Sequence, residues 1–420
     1  MTPSNRLALL WGIAFFGGSL GQGLSRISGM PVVVALLAIG LLIGRAGLDL
    51  IHPEDLGHGL EPLVGLLVSL VLFDGGLNLR LAGRDLQRSV VQLVLIRSVL
   101  SLAGAAALAH LLAGLSWPLA LVFGAIALST GPTVVNSLVR QMRLSPFLGQ
   151  VLEAEGLILE PFAAVLALLL LQFAMGDLTR WQELAPRLAL RCGGGVVAGS
   201  AVGWALAELL QRTAAPGGQG AAPSGELEES TSGLQLQLTL GCLFLLFSGC
   251  EGLLPASGLP AAVSAGVLVG LRLEAGASQL DAWIRQLAQL AITVLFPLLA
   301  ADLSWGELSP LGLGGLAAVG ALMLLRLLVV QVACVGLPLD GRERLLLGWV
   351  APRGIVSAAV ASLFALQLEA AGIPGGSALK GLVFLTILLT VGLQGSIAPW
   401  LAERLGLSLP ATEPTEEANQ

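Results

Sequence analysis

The stretch "EGLILEPFAAVLALLLL", residues 155–171, places two carboxylates and a proline within an otherwise apolar segment. Apolar segments of about 17 to 28 residues recur along the whole chain, and about 20 apolar residues suffice for a helix to cross a bilayer. A carboxylate at membrane depth is costly and by default indicates a functional site. The stretch therefore predicts a membrane-spanning helix that carries part of such a site.

The composition of the chain is that of a membrane protein. Of its 420 residues, 55% are hydrophobic and only 11% are charged, and the mean hydropathy is +0.87. Soluble chains carry about 25% charged residues, and a β-barrel would need shorter segments of alternating polarity. We therefore predict an all-α polytopic membrane protein, and we expect it to bind no nucleic acid.

The cysteine and histidine patterns predict neither a disulfide nor a metal cofactor. The four cysteines all lie in apolar segments, and no pair of them has metal-ligand spacing. The three histidines are scattered and form no HExxH pattern. We therefore expect no cofactor.

The apolar segments predict thirteen transmembrane helices. The first lacks the basic flank of a signal peptide, so it is counted as a membrane helix. The predicted spans are 7–24, 29–46, 59–79, 89–115, 117–140, 147–175, 188–211, 234–250, 255–273, 286–303, 311–335, 341–367 and 377–403. A stretch rich in Gly, Pro, Ser and Glu, residues 213–233, predicts a flexible linker between a first half, 7–211, and a second half, 234–404. The transmembrane domain, 1–404, would precede a short disordered cytoplasmic tail, 405–420.

Loop charges predict the orientation, because cytoplasmic loops carry an excess of Lys and Arg. Twelve basic residues fall on one predicted side of the membrane and five on the other, where Lys380 is counted. The first side should be cytoplasmic, which places the N-terminus outside and the C-terminus inside. The membrane should be a bacterial cytoplasmic (inner) membrane or a thylakoid membrane.

Glu160 is the acidic residue that the sequence places near the middle of the membrane. At 1.5 Å per residue it lies about 20 Å along its predicted helix. Glu155 points about 140° away from it, so we expect the two carboxylates to have different roles. Gly156 shares the face of Glu160 and leaves room there for an ion or a water. Pro161 breaks the helical hydrogen bonding and frees the Leu157 carbonyl for a cation, unless it merely kinks a packed helix.

Two further predicted spans are interrupted at matching positions of the two halves. They contain "ALSTGPTVVNSL", residues 127–138, and "GWVAPRGIVSAAV", residues 348–360. The breaks fall at Gly131, Pro132, Pro352 and Gly354. Such paired interruptions are typical of transporter sites, and odd spacing between the halves would make the repeats inverted. Unwound backbone must face protein or water, so we predict a central polar cavity lined by Thr130, Thr133 and Glu160.

Several motifs of the chain resemble those of the monovalent cation:proton antiporters, the sodium/proton exchanger family. The motifs are "LFDGGLNL" (72–79), "STGPTVV" (129–135), "EGLILEP" (155–161), "GWVAPRGIVSAAVASLF" (348–364) and "LQGSIAPWL" (393–401). The resemblance covers nearly the whole chain. It implies a homodimer with a scaffold domain and a mobile six-helix core of inverted repeats, in which two broken helices cross at the ion site.

The resemblance also assigns roles to particular residues. Many members carry an Asn-Asp pair where this chain has Leu159 and Glu160, and an Asp where it has Gly131. Glu155 matches a family glutamate that is expected to pair with the arginine at Arg353. We expect this ion pair to be an architectural tie, with direct ion contact as the alternative.

Four other charged residues lie within or near the predicted spans. Asp74, where the family often has a glutamate, could draw cations into a funnel or simply meet interfacial water. Glu153 could be an access residue of the same funnel. Arg97 and Arg326, at counterpart positions in two spans, are expected to bind backbone carbonyls.

The function implied by these features is exchange of a monovalent cation for H⁺ by alternating access. The transported metal ion would be Na⁺ or Li⁺, or alternatively K⁺, and it would bind at Glu160 with Thr130, Gly156 and Thr133. One carboxylate that holds either ion suggests one-for-one, electroneutral exchange. A sodium-coupled symporter of a small organic anion is the alternative, whereas a channel would need a filter loop and an enzyme would need paired catalytic groups.

Overall fold

The computed structural model describes residues 3–53, 59–80, 83–178, 180–213, 226–273 and 278–409. Within these residues the secondary structure is helical, apart from one isolated bridge between Leu144 and Ser408. Eight helical segments in the described part are long and apolar enough to cross a membrane, and four shorter apolar helices accompany them. The chain is therefore an all-helical integral membrane protein.

The helices follow one another in the order that the sequence predicts. Their bounds are α1 Pro3–Ser28, α2 Val32–Ile43, α3 Leu60–Asn78, α4 Arg84–Leu111, α5 Trp117–Ile126, α6 Pro132–Met142, α7 Pro146–Met175, α8 Leu184–Thr213, α9 Glu226–Leu253, α10 Gly258–Arg272, α11 Ser278–Ala301, α12 Trp305–Leu308, α13 Gly312–Ala333, α14 Gly341–Trp349, α15 Ile355–Ala370, α16 Gly376–Leu389 and α17 Gly395–Leu405. A single π-helical turn, Thr390–Gln394, joins α16 to α17.

Two of the predicted spans consist of separate half-helices, and proline explains both interruptions. Pro132 begins α6, and the residue before it, Gly131, is extended with φ −67° and ψ 109°. Residues 350–354, which include Pro352, separate α14 from α15. Proline lacks an N–H donor and drives the preceding residue out of the helical region. The backbone of both segments is therefore non-helical where the helix would otherwise continue.

Pro161 behaves differently, and the expectation that it breaks its helix is wrong. It lies inside α7, which runs without interruption from Pro146 to Met175. A proline in a membrane helix costs one hydrogen bond, and neighbouring helices can compensate for that loss. Of an apolar stretch of 18 residues in α7, 67% is buried inside the protein. Packing on several sides therefore holds the helix together through the proline.

The helices form two packed groups around the site. In one, α10 lies against α3 and α8, and α11 packs along α1, α2 and α3. Glycines allow this close approach, since a Cβ on Gly203 would lie 2.7 Å from the Ala265 Cα and one on Gly76 would lie 2.5 Å from the Val263 oxygen. In the other group, α4, α7, α13 and α16 pack against the half-helices of the two interrupted segments, which are α5 with α6 and α14 with α15.

Two predicted polar segments fall partly outside the described residues. Of the expected linker 213–233, residues 214–225 lie outside them, and α9 already begins at Glu226. Of the expected tail 405–420, residues 410–420 lie outside them. The start of that tail is ordered rather than disordered, because the Leu409 N–H donates to the Arg143 oxygen at 2.9 Å. Backbone pairing with the α6–α7 turn fixes this short segment.

Candidate functional site

The two interrupted segments meet in the interior of the protein. The Gly131 N–H donates to the Pro352 oxygen at 3.0 Å. A Cβ on Gly354 would lie 2.5 Å from the Gly131 Cα, so this approach requires glycine at both positions. The hydroxyls of Ser129 and Ser357 are 2.7 Å apart and add a side-chain contact between the segments. We call this meeting point the crossing.

Glu160 lies at the crossing and away from lipid. The residue is 3% exposed, and a Cβ on Gly354 would lie 2.7 Å from its Oε1 atom. The backbone N–H of Val356, in the first turn of α15, interacts with the same carboxylate. The N–H groups of a helix's first turn lack intrahelical acceptors and carry a partial positive charge. The carboxylate is therefore held between α7 and the start of α15.

Thr130 supplies the second set of oxygens at this point. A Cβ on Gly156 would lie 3.2 Å from the Thr130 carbonyl oxygen and 3.4 Å from its Oγ1. That hydroxyl is buried and has no hydrogen-bond partner among the described atoms. Carboxylate, carbonyl and hydroxyl oxygens are the donors that hard cations prefer. Thr133 is less buried than Thr130 and lies half-buried in the first turn of α6.

The expected ion pair between Glu155 and Arg353 is replaced by a different one. Glu155 is bound by Arg97 on α4, through Nη1, and by Arg326 on α13, with Nη1–Oε1 and Nη2–Oε2 distances of 3.1 and 3.2 Å. Arg353 instead donates from Nη1 to the Ser129 oxygen at 2.6 Å. Because Glu155 points away from the face of Glu160, its carboxylate reaches α4 and α13 rather than the crossing.

The prediction that Arg97 and Arg326 bind backbone carbonyls is confirmed. Arg97 Nη2 donates to the Leu128 oxygen at 3.0 Å, and Arg326 Nη2 donates to the Leu347 and Val350 oxygens at 3.2 Å each. These carbonyls lie at the C-terminal ends of α5 and α14, where a helix carries partial negative charge. Each arginine therefore caps one half-helix, and Glu155 joins the two caps.

Asp74 and Glu153 have a common electrostatic neighbour on α6. Both are half-buried, and both are within electrostatic reach of Arg140 on α6. Asn78 Nδ2 donates to Asp74 Oδ1 at 3.2 Å. No contact among the described residues brings either carboxylate to Glu160. Their common neighbour Arg140 is compatible with a position of both carboxylates on one approach path.

A second charged cluster was not anticipated from the sequence. The sequence predicts a loop charge at Lys380, whereas the residue is 6% exposed and its Nζ lies 2.9 Å from both Asp302 Oδ2 and Glu307 Oε1. Ser362 Oγ donates to Asp302 Oδ2 at 2.8 Å. The available signal was compositional, since Lys380 is the only lysine in the chain. Its partners lie far away in sequence and carry no motif.

Comparisons with known proteins agree in the family that they indicate. The family model described as "Sodium/hydrogen exchanger, transmembrane" matches residues 12–404. The Na⁺/H⁺ antiporter 1 of Methanocaldococcus jannaschii is 26% identical over 422 residues, covering 94% of both chains. The K⁺/H⁺ antiporter NhaP2 of Shewanella sp. (strain MR-4) is 25% identical over 391 residues, which are 91% of this chain.

The Shewanella relative and the matched solved structure are covered by this chain to different shares of their lengths. This chain spans 64% of the length of the Shewanella protein. The structure of the sodium proton antiporter MjNhaP1 from Methanocaldococcus jannaschii at pH 8 superposes with a TM-score of 0.81 at 23% identity. That superposition covers 96% of this chain and 99% of the other, and it establishes a shared fold.

Proposed function

Because this chain belongs to the sodium/hydrogen exchanger family, we propose that it exchanges a monovalent cation for a proton across a membrane by alternating access. Relatives that cover most of its length are Na⁺/H⁺ and K⁺/H⁺ antiporters. The observation that carries the proposal is the buried Glu160 carboxylate at the crossing of two interrupted helices. A sodium-coupled symporter of an organic anion is not favoured by these relatives.

Competition for Glu160 would couple the two fluxes. The carboxylate can hold a proton, or it can hold a cation together with the Thr130 oxygens beside Gly156. An empty, charged carboxylate is costly to move through an apolar barrier. The conformational change should therefore be favoured only when a proton or a cation neutralises Glu160. Na⁺, Li⁺ and K⁺ are the candidate cations.

The charges at the site support one-for-one, electroneutral exchange. Where many family members have a second acidic residue or an asparagine, this chain has Gly131 and Leu159. Each half-cycle then carries one positive charge, a proton in one direction and a cation in the other. An imposed membrane voltage should therefore leave the exchange rate unchanged.

The finer architecture is proposed on the same basis. We assign thirteen spans and a homodimer. Inverted repeats would relate α4–α7 to α13–α17, and the scaffold would include α1–α3 and α8–α10. The matched caps support the repeats, since Arg97 caps α5 as Arg326 caps α14. The loop charges support an N-terminus outside and a cytoplasmic C-terminus in a bacterial inner or thylakoid membrane. Asp74 and Glu153 would form the cytoplasmic funnel.

Everted membrane vesicles test the proposal. Vesicles that have accumulated protons should release them when Na⁺, Li⁺ or K⁺ is added, and Glu160→Gln should abolish that release. Glu208→Gln is the matched control, because Glu208 lies on α8 and pairs there with Arg212. Cation-driven proton release that survives Glu160→Gln would remove the mechanism. Cation uptake that requires an organic anion and releases no protons would favour the symporter instead.

A further inference from the structure

A cavity of about 540 Å³ opens between the two helix groups. Four carboxylates and two cationic groups line it, so its lining carries an excess of negative charge. The charged lining residues are Arg45, Glu61, Asp302, Glu307, Glu369 and Lys380. An excess of one sign of charge in a concave space raises the local concentration of the opposite ion. We call this space the vestibule.

The vestibule lies on the opposite side of the crossing from Asp74. Glu61, at its rim, and Asp74 are both on α3, about 20 Å apart at 1.5 Å per residue. Ser362, in its wall, lies on α15 about 12 Å beyond Gly354 at the same rise. The same helix therefore connects the vestibule to the crossing. This placement suits an approach to Glu160 from the other face of the membrane.

A cation already occupies the most buried polar part of this space. The Lys380 ammonium is surrounded by three oxygens, at 2.9 Å from Asp302 Oδ2, 2.9 Å from Glu307 Oε1 and 3.0 Å from the Asp302 carbonyl. Two carboxylates around one ammonium leave one negative charge in excess. Oxygen donors of this kind also suit an unhydrated alkali cation.

Both carboxylates are held in place without Lys380. Ser362 Oγ donates to Asp302 Oδ2 at 2.8 Å. Glu307 belongs to the capping box of α12, where its Oε2 accepts from the Ser304 N–H at 3.0 Å. Groups fixed by their own partners keep their arrangement when a ligand leaves. The oxygen cluster should therefore persist when the ammonium moves away.

We propose that Asp302 and Glu307 form a second cation-binding site, at which a monovalent cation from the vestibule competes with the tethered Lys380 ammonium. The competitor is a free alkali cation, which makes this a loading site on the path to Glu160. That path rests on the proposed function, whereas binding at the cluster does not require exchange. Lys380 lies on α16 and Asp302 follows α11, so displacement of the ammonium also releases a contact between the two helix groups.

Amine modification tests the competition directly, because Lys380 is the only lysine in the chain. The purified protein is treated with an amine-reactive acetylating reagent in choline chloride or in NaCl, KCl or RbCl at equal ionic strength. Acetylation at Lys380 is followed by mass spectrometry, with the N-terminal amine as the internal reference. We expect at least one alkali chloride to accelerate modification of Lys380 by about threefold or more, as mass action requires for a displaced ligand. Equal rates in choline and in all three alkali salts would overturn the proposal.

A vacated site supplies the second test. The double variant Glu160→Gln/Lys380→Met removes the ammonium and also the cation-binding carboxylate at the crossing. Its Tm should rise by several degrees with alkali chloride but not with choline chloride. Glu160→Gln alone should show no such rise, and adding Asp302→Asn should abolish it. The site would be contradicted if the Tm of the double variant did not change with alkali chloride, or if the rise persisted after Asp302→Asn. Neither test measures proton exchange, so failure here is distinct from failure in vesicles.

Discussion

Glu155 receives both terminal nitrogens of Arg326 on its two oxygens, Nη1 on Oε1 at 3.1 Å and Nη2 on Oε2 at 3.2 Å. The planar guanidinium matches a carboxylate in this two-pronged arrangement, which fixes direction as well as distance. Arg97 binds the same carboxylate from α4. One acidic residue thereby holds the two arginines that cap α5 and α14.

Removal of Glu155 should be the most damaging change in this triad. Glu155→Gln leaves two buried guanidinium groups without a counter-charge, and we expect a loss of about 3–5 kcal/mol of stability. Arg326→Met should cost less, because Arg97 still balances the carboxylate. Thermal unfolding in detergent measures the ranking.

The same experiment separates this pairing from the one expected with Arg353. Coupling energies from double variants should be large for Glu155 with Arg326 and small for Glu155 with Arg353. Equal stability of Glu155→Gln and Arg326→Met, or stronger coupling to Arg353, would contradict the triad.

The approach of Gly354 to its neighbours gives a second prediction. Gly354→Ala places a Cβ 2.5 Å from the Gly131 Cα and 2.7 Å from Glu160 Oε1, so the crossing must open. We expect cation-driven proton release to fall by about tenfold or more, since small misplacement of reacting groups is costly. Gly320→Ala is the control, because a Cβ there meets nothing within 4 Å and should stabilise α13 by up to about 1 kcal/mol. Normal exchange by Gly354→Ala would show that the crossing tolerates a wider separation.

The unpartnered hydroxyl of Thr130 gives a third prediction. Thr130→Val keeps the shape of the side chain and removes one candidate oxygen, so we expect the KM for the cation to rise by about three- to tenfold. Stability should stay the same or increase, because the buried hydroxyl has no partner to lose among the described atoms. Thr239→Val on α9 is the control, since the hydrogen bond that this hydroxyl makes among the described residues stays within its own helix, to the Gln235 oxygen at 2.8 Å. An unchanged KM in Thr130→Val would exclude the hydroxyl as a ligand.

The sequence predicted the parts of this site that depend on local chemistry. Proline and glycine fix where a helix must end, so the interruptions at Gly131 and Pro352 could be located from the sequence. Helical geometry also predicted that Glu155 and Glu160 face different ways. It could not identify which helix lies opposite Glu155, because that depends on how distant segments pack. For the same reason the family pattern alone suggested Arg353 as a partner and missed Arg326.

The Lys380 cluster shows the same limit more strongly. Lys380 and Asp302 are 78 residues apart in the chain, and each looks like an ordinary charge beside a helix end. Nothing local distinguishes a solvated lysine from one buried against two carboxylates. Pro161 shows the opposite error. The local rule that proline breaks a helix fails there, because the packing around α7 keeps the helix continuous. In each case a tertiary contact decided the outcome.

Competition at Glu160 has a quantitative consequence for pH dependence, which gives the last prediction. If one carboxylate binds either one proton or one cation, each ion lowers the apparent affinity for the other by mass action. Wherever Glu160 is mostly protonated, the KM for the cation should rise about tenfold for each unit that the pH falls, and at higher pH it should become constant. Initial rates of exchange over a grid of cation concentrations and pH values give this slope directly. A slope of two decades per pH unit would mean that two protons leave for each cation, and a second titrating group would then have to join Glu160.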